Sequence, residues 1–372
     1  MNSFGKAYGK SLVRGARASI DEVLAVKKGE KVIIITNPQR EVRVISMSLY
    51  DAAVRKGANV TLLVQNAKGQ FDFAEEAVIK AISTEPDVII SISHDRLGKD
   101  EFGLKHGYKG RKRRYDHIFD LSYEEGKLRS FWSPGITTDI FSRTVAIDYS
   151  QLRSDCAKIG KILSSSEKVR VTAPGGTDVV LGTRGRKARA DDGNFTRPGL
   201  AGNIPTGEVY VSPGLGTMNG TIAFDGSIVV NIGEIVISEP ILAEVQGGFI
   251  TEIHGGPEAL KLKKSVQEGE AKARKMGRSG QIKAVLAEKY AKNAWSIGEL
   301  GIGLNRKARI VANMLEDEKV YGTCHFAVGS NYDGDADAMI HLDGIVKAPT
   351  IAAIYKSGKE RQFMTRGILE WD

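Results

Sequence analysis

From the N-terminus to about residue 160 the chain alternates between two hydrophobic periods, and this alternation limits the possible fold more than any other feature. Lys31–Thr36 (KVIIIT), Asn59–Val64 (NVTLLV) and residues 87–92 (DVIISI) are short apolar runs of the kind that form buried strands. Between them, residues 40–56 carry Val42, Val44, Ile45, Leu49 and Ala53 at helical spacing, and residues 73–82 read as a second helix. Residues 117–121 (HIFDL) are expected to add a strand, and residues 149–163 a helix leading out of the region. Strands alternating with helices imply a mainly parallel sheet covered on both faces.

The texture changes near Ser166. Short β-like runs separated by Gly and Pro follow at residues 168–172, 179–182, 208–212, 221–224, 228–231, 241–245 and 249–253. Helices are expected over 259–275 and 282–293, with more short strands to the C-terminus. The sequence therefore predicts an α/β domain over residues 1–165, for scaffolding or dimerisation. A β-rich α+β domain over residues 166–372 follows it.

Bulk properties exclude several classes. Of 372 residues, 41% are hydrophobic and 26% charged, which is ordinary for a soluble globular protein and wrong for a disordered one. The only cysteines, Cys156 and Cys324, lie far apart, which argues against a disulfide scaffold and fits a reducing, cytoplasmic setting. The N-terminus lacks the apolar core of a signal peptide, and no apolar run approaches the roughly 18 residues that span a bilayer. Nucleotide binding is set aside, because Lys31–Thr36 is followed by Asn37-Pro38-Gln39 rather than a glycine fingerprint or Walker lysine. Part of the net charge of +8 sits in Lys109, Arg111, Lys112, Arg113 and Arg114. Such a run can contact the phosphates of RNA or another polyanion, or can be a solvated loop. No aromatic-rich nucleic-acid motif accompanies it, so nucleic acid is not the expected partner.

Four charge-poor segments in the C-terminal half hold candidate metal ligands: Glu208 after Asn-Ile-Pro-Thr-Gly, Glu299 in Ile-Gly-Glu-Leu-Gly, His325 in Gly-Thr-Cys-His-Phe-Ala-Val-Gly, and the pair His341-Leu-Asp343. Residues i and i+2 of a strand share a face, so His341 and Asp343 project side by side. Ile340, Leu342 and Ile345 suggest partial burial, where a lone carboxylate is costly and a cation removes the cost. A His–Asp hydrogen bond on an exposed strand would give the same spacing, and salt bridges would account for each Glu alone. Together the segments offer three carboxylates and two imidazoles, a set that suits zinc, cobalt or manganese. His94, His106, His117 and His254 lie in polar or turn-like surroundings and are not expected to be ligands.

These segments resemble the dinuclear metallo-exopeptidases typified by aminopeptidase T, most densely between Pro174 and Asp343. The resemblance implies two divalent ions held by Glu208, Glu299, His325, His341 and Asp343, with a water activated between them. It implies an aminopeptidase acting on small peptides, a homodimer, and a functional tyrosine at Tyr332. Glu208 or Glu299 would move the proton, because Gly207 stands where the family carries a further Glu. A related branch, the ring-cleaving 2,5-dihydroxypyridine dioxygenases, resembles the chain around residues 248–258 and at the His-x-Asp pair. Its members bind a single ferrous ion by two His and one Asp, with a His at the position of Glu299 and apolar residues at those of Glu208 and His325. The five ligand-type residues present here make the hydrolase the expected reading and the dioxygenase its alternative.

Overall fold

The computed structural model describes residues 8–69 and 72–372. The chain divides into two units, one made of Met1–Arg153 and Asp191–Thr206, the other of Ser154–Ala190 and Gly207–Asp372.

In the first unit Asn59–Val64, Lys31–Thr36, Val88–Ile92, Arg129–Trp132 and Ala201–Asn203 lie in that order in a five-stranded parallel sheet. Val88–Ile92, at its centre, is buried along its whole length. Helices cover both faces of such a strand, so its sequence shows no polar alternation. Helix Arg40–Arg55 buries Val42, Ile45, Leu49 and Ala53, the stripe its spacing predicts. Ile33, Ile35, Val78, Ile82, Ile89, Ile118 and Leu128 form one apolar cluster. Each such side chain contributes about 1.5–3 kcal/mol on full burial.

Two expectations in this unit are corrected. Residues 117–121 do not form a strand; Ile118–Glu124 is a helix with Ile118 and Ser122 buried one turn apart. His117 Nδ1 caps it, accepting a hydrogen bond from the Phe119 N–H at 3.1 Å. The helix expected over 73–82 begins only at Glu76, because Phe73 is held in a β-bridge with Lys99.

The second unit is built on two sheets. An eight-stranded sheet runs in the order Phe249–His254, Ile241–Gln246, Asn219–Phe224, Asp178–Gly182, Lys168–Thr172, Thr350–Ile354, Glu360–Thr365, Ile368–Leu369. An antiparallel run of Gly233–Val236, Ser227–Val230, His341–Lys347, Thr323–Gly329, Ile297–Gly303 and Glu208–Val211 is extended by Arg189–Asp191 into a seven-stranded sheet. Ile297–Gly303 and Thr323–Gly329 are buried at every position. They form the interior of the unit, so any charged side chain on them needs a partner. Among the described residues no helix is long and apolar enough to cross a membrane. Cys156 and Cys324 are both buried and unbridged.

Candidate metal centre

All five expected ligands come from one face of the seven-stranded sheet. Residues paired directly across antiparallel strands share a face, and the register pairs Glu208 with Gly303, Gly301 with His325, Glu299 with Ala327, Ala327 with Asp343, and Gly329 with His341. The polar side chains thus stand among Gly301, Gly303, Ala327 and Gly329, which leave them room. A Cβ on Gly301 would overlap the His325 imidazole. The register shifts between Ile297 and Glu299, a bulge that re-aims the Glu299 side chain.

The resulting geometry is tight. His325 Nε2 lies 3.2 Å from Glu299 Oε1 and 3.5 Å from Glu208 Oε2. His341 Nε2 lies 3.4 Å from Asp343 Oδ1 and 3.8 Å from Glu299 Oε2. His341 Nδ1 donates to the Ser330 carbonyl at 2.9 Å, which fixes the ring and leaves Nε2 facing the carboxylates. Glu208 Oε2, Glu299 Oε2, Asp343 Oδ1 and His325 Nδ1 are buried with no hydrogen-bond partner. Buried polar atoms are nearly always satisfied, so three orphaned carboxylate oxygens around two imidazoles mark a place for a cation.

Two residues of the site are not singled out by sequence reasoning, and they change its charge. Lys319 is fully buried, with Nζ 2.8 Å from Glu208 Oε1 and also bonded to Glu318. Glu318, His325 and Asp343 bring donor atoms within 4.8 Å of one another, as do Glu208, Glu299 and His325. In sequence Lys319 ends the polar run Glu316-Asp317-Glu318-Lys319, which reads as a solvated turn. Only its position just before the apolar Val320 hints otherwise.

Four carboxylates against one ammonium leave the cluster with excess negative charge. Burial raises the Glu208 and Glu299 carboxyls, offset only in part by Lys319 and His325 respectively. Burial would lower both histidines, but the surrounding carboxylates outweigh it. The hydrogen bond to Glu299 and the charges of Glu208, Glu299 and Asp343 lift His325 to about 9. Asp343 and Glu299 lift His341 to about 10. Burial would raise Asp343, yet His341 and His325 hold it down to about 2. Protons on both imidazoles therefore supply the positive charge that a bound cation would otherwise bring.

Exposure across the site is uneven. Lys319 and His325 are sealed, the His341 side chain is 23% exposed and Tyr332 is 52% exposed. The Tyr332 ring lies 5.2 Å from the His341 ring and 5.4 Å from the ring of Tyr210, which stands on the same sheet face opposite Gly301. Arg186 clamps the Tyr332 loop through Asp333 and Asp335, and Arg189 through Asp333 and the Tyr332 carbonyl. Gly207 adopts a φ of 128°, and a Cβ there would press on the Asn305 backbone, so a glutamate at this position would be strained.

The remaining expectations fall outside this face. His254 pairs with Glu252 at 2.9 Å on the surface, and His117 is the helix cap already described. The basic run is largely engaged: Arg111 bonds Glu125, Arg113 bonds Glu124, and Lys112 donates to the Glu124 carbonyl.

Comparison with known proteins bears on what the face does. The family model for 2,5-dihydroxypyridine 5,6-dioxygenase, NicX, matches residues 137–352. No curated protein matches the sequence. The structure of 2,5-dihydroxypyridine dioxygenase from Pseudomonas putida KT2440 is similar at 17% identity, with a TM-score of 0.69 and 98% of each chain covered. AmpT from Thermus thermophilus is similar at 15% identity, with a TM-score of 0.67, covering 98% of this chain and all of its own. At those identities the structures speak for a common fold, a mixed α/β arrangement with one parallel and two large antiparallel sheets. The family match speaks for chemistry, and it overturns the expected dinuclear aminopeptidase. The hydrolase, protease and peptide-substrate expectations fall with it. Glu208, one of the five donors, is also paired with Lys319.

Proposed function

The chain belongs to the NicX family of 2,5-dihydroxypyridine 5,6-dioxygenases, and we propose that it opens a dihydroxylated pyridine ring with dioxygen at a single ferrous ion. The observation that carries this reading is the orientation of His341. Its Nδ1 is tied to Ser330, and its Nε2 faces two orphaned oxygens, Asp343 Oδ1 and Glu299 Oε2.

The residues fit such an ion. Two imidazoles and one carboxylate with open positions are the ligand set of non-haem ferrous oxygenases. His341 stands beside Asp343, Asp343 groups with His325, and Glu299 lies beside both imidazoles, so His325, His341 and Asp343 are the candidates for that set. Position 299 departs from the pattern expected for this branch, since the second imidazole comes from His325 on the neighbouring strand. Glu299 Oε1 bonds that imidazole instead. A ferrous ion held there supplies the redox chemistry by which dioxygen reacts with an electron-rich ring.

The protein does the rest. Burial of His325, Glu299 and Asp343 keeps bulk water from those groups, while His341 and Tyr332 are exposed beside them. Tyr210 and Tyr332 offer aromatic surface to a planar ring at that mouth. Desolvation and the charges of Glu299 and Asp343 push the Tyr332 phenol up, so it stays protonated at neutral pH. It can then donate a hydrogen bond to a hydroxypyridine oxygen that has lost its proton. Arg186 and Arg189 hold the loop that carries it.

The experiment is anaerobic loading with ferrous ion, removal of unbound metal, and admission of oxygen with 2,5-dihydroxypyridine. One dioxygen consumed per ring lost is expected. Iron-loaded protein that consumes no oxygen with this or any related dihydroxypyridine would end the proposal.

A further inference from the structure

The site contains two overlapping ligand groups but carries a lysine between them. Glu208, Glu299 and His325 form the first group, and Glu318, His325 and Asp343 the second. Lys319 Nζ bonds both Glu208 and Glu318. It is fully buried on a segment whose backbone is anchored, the Asn305 N–H donating to the Lys319 carbonyl at 2.7 Å. Without that ammonium, Glu208 and Glu318 would stand uncompensated beside Glu299 and Asp343, and the two groups together would hold carboxylates enough for a second divalent ion.

We propose that Lys319 fixes the number of metal ions at one by acting as the built-in cation of the Glu208–Glu318 end of the site. The inference rests on the reading that His341, Asp343 and their neighbours hold a metal at all. A lysine ammonium satisfies carboxylates but offers no open coordination position, and it repels a divalent ion brought beside it. Lys319 bonds neither Glu299 nor Asp343 in the ion pairs of the site, and Glu299 Oε2 and Asp343 Oδ1 stay orphaned there. Glu208 is then a partner of Lys319 and not a ligand of the single ion. Lys319 is a specificity-determining residue: it selects mononuclear chemistry on a scaffold with donors for two ions.

The test is metal stoichiometry. Full-length protein, stripped and then equilibrated with excess Zn(II) or Mn(II), is freed of unbound metal and analysed for ions per chain. Wild type is expected to retain one, Lys319→Met two, and the double variant Lys319→Met, Glu208→Gln one. Glu208→Gln alone is expected to keep its single ion, a result that does not depend on whether Lys319→Met folds. Two ions in wild type, one ion in folded Lys319→Met, or loss of the ion in Glu208→Gln would each overturn the inference. If oxygen uptake by the iron-loaded wild type persists in any of those cases, the dioxygenase reading survives alone. Wild type that binds no metal would remove both.

Discussion

The two ends of the sheet face solve the same electrostatic problem in different ways. At one end Glu208, buried, and Glu318, half-buried, share Lys319, and an internal ammonium offsets part of their charge. At the other end Glu299 and Asp343 face His341 with oxygens left orphaned, and neutrality waits for protons or for a metal. Burying a charge without compensation costs several kcal/mol, so both ends must be answered. Only the second is answered by something that can leave. The difference teaches that a ligand inventory is not a metal count: a donor already paired to an internal cation is no longer open to an ion.

The largest expected effect lies at the open end. His341→Ala or Asp343→Asn removes a side chain proposed as a direct ligand. Since loss of a hydrogen-bonding partner behind a ligand already weakens metal binding by about 10–100-fold, either variant is expected to weaken ferrous binding by more than about a hundred-fold in a metal titration. Affinity within tenfold of wild type would show that the two ends do not differ as described.

A smaller effect is expected at the mouth. Tyr332→Phe keeps the ring against His341 but removes the donor. A hydrogen bond to a charged group contributes about 1.5–3 kcal/mol. A fall of about ten- to hundred-fold in kcat/KM with unchanged metal content is therefore expected, measured by oxygen uptake.

A further effect is graded and sharpens the contrast through pH. In metal-free protein His325 is lifted to about 9 and His341 to about 10. Both are protonated near neutrality, and metal must displace those protons. Apparent affinity should rise with pH by up to about tenfold per unit for each histidine displaced, levelling off as pH passes their raised values. Titrations at several pH values check this. An affinity flat between neutral and alkaline pH would mean that the imidazoles are not the ligands.

What the sequence reveals follows the range of the interactions. Lys31–Thr36, Asn59–Val64 and the stripe on Arg40–Arg55 are legible because local period sets them. The His341-x-Asp343 pair is legible because strand geometry alone puts i and i+2 together. Ala201–Asn203 is not, since its place beside Arg129–Trp132 is a long-range pairing with no local pattern. Residues 117–121 pass for strand because five residues do not separate the two periods. The helix Ile118–Glu124 shows only with its cap and its last turn. Lys319 is hidden for a related reason: nothing in the sequence tells a buried lysine from a solvated one. The five ligand-type residues, which the sequence shows without the lysine beside them, tip the reading toward hydrolysis.

The central claim is that one iron at the His341–Asp343 end opens a dihydroxypyridine ring. The most direct measurement loads the protein with ferrous ion, determines iron per chain, and follows dioxygen and 2,5-dihydroxypyridine together in a closed cell. The account predicts one iron per chain and equimolar loss of oxygen and of the aromatic absorbance. One bound iron with neither oxygen nor ring consumed would contradict it.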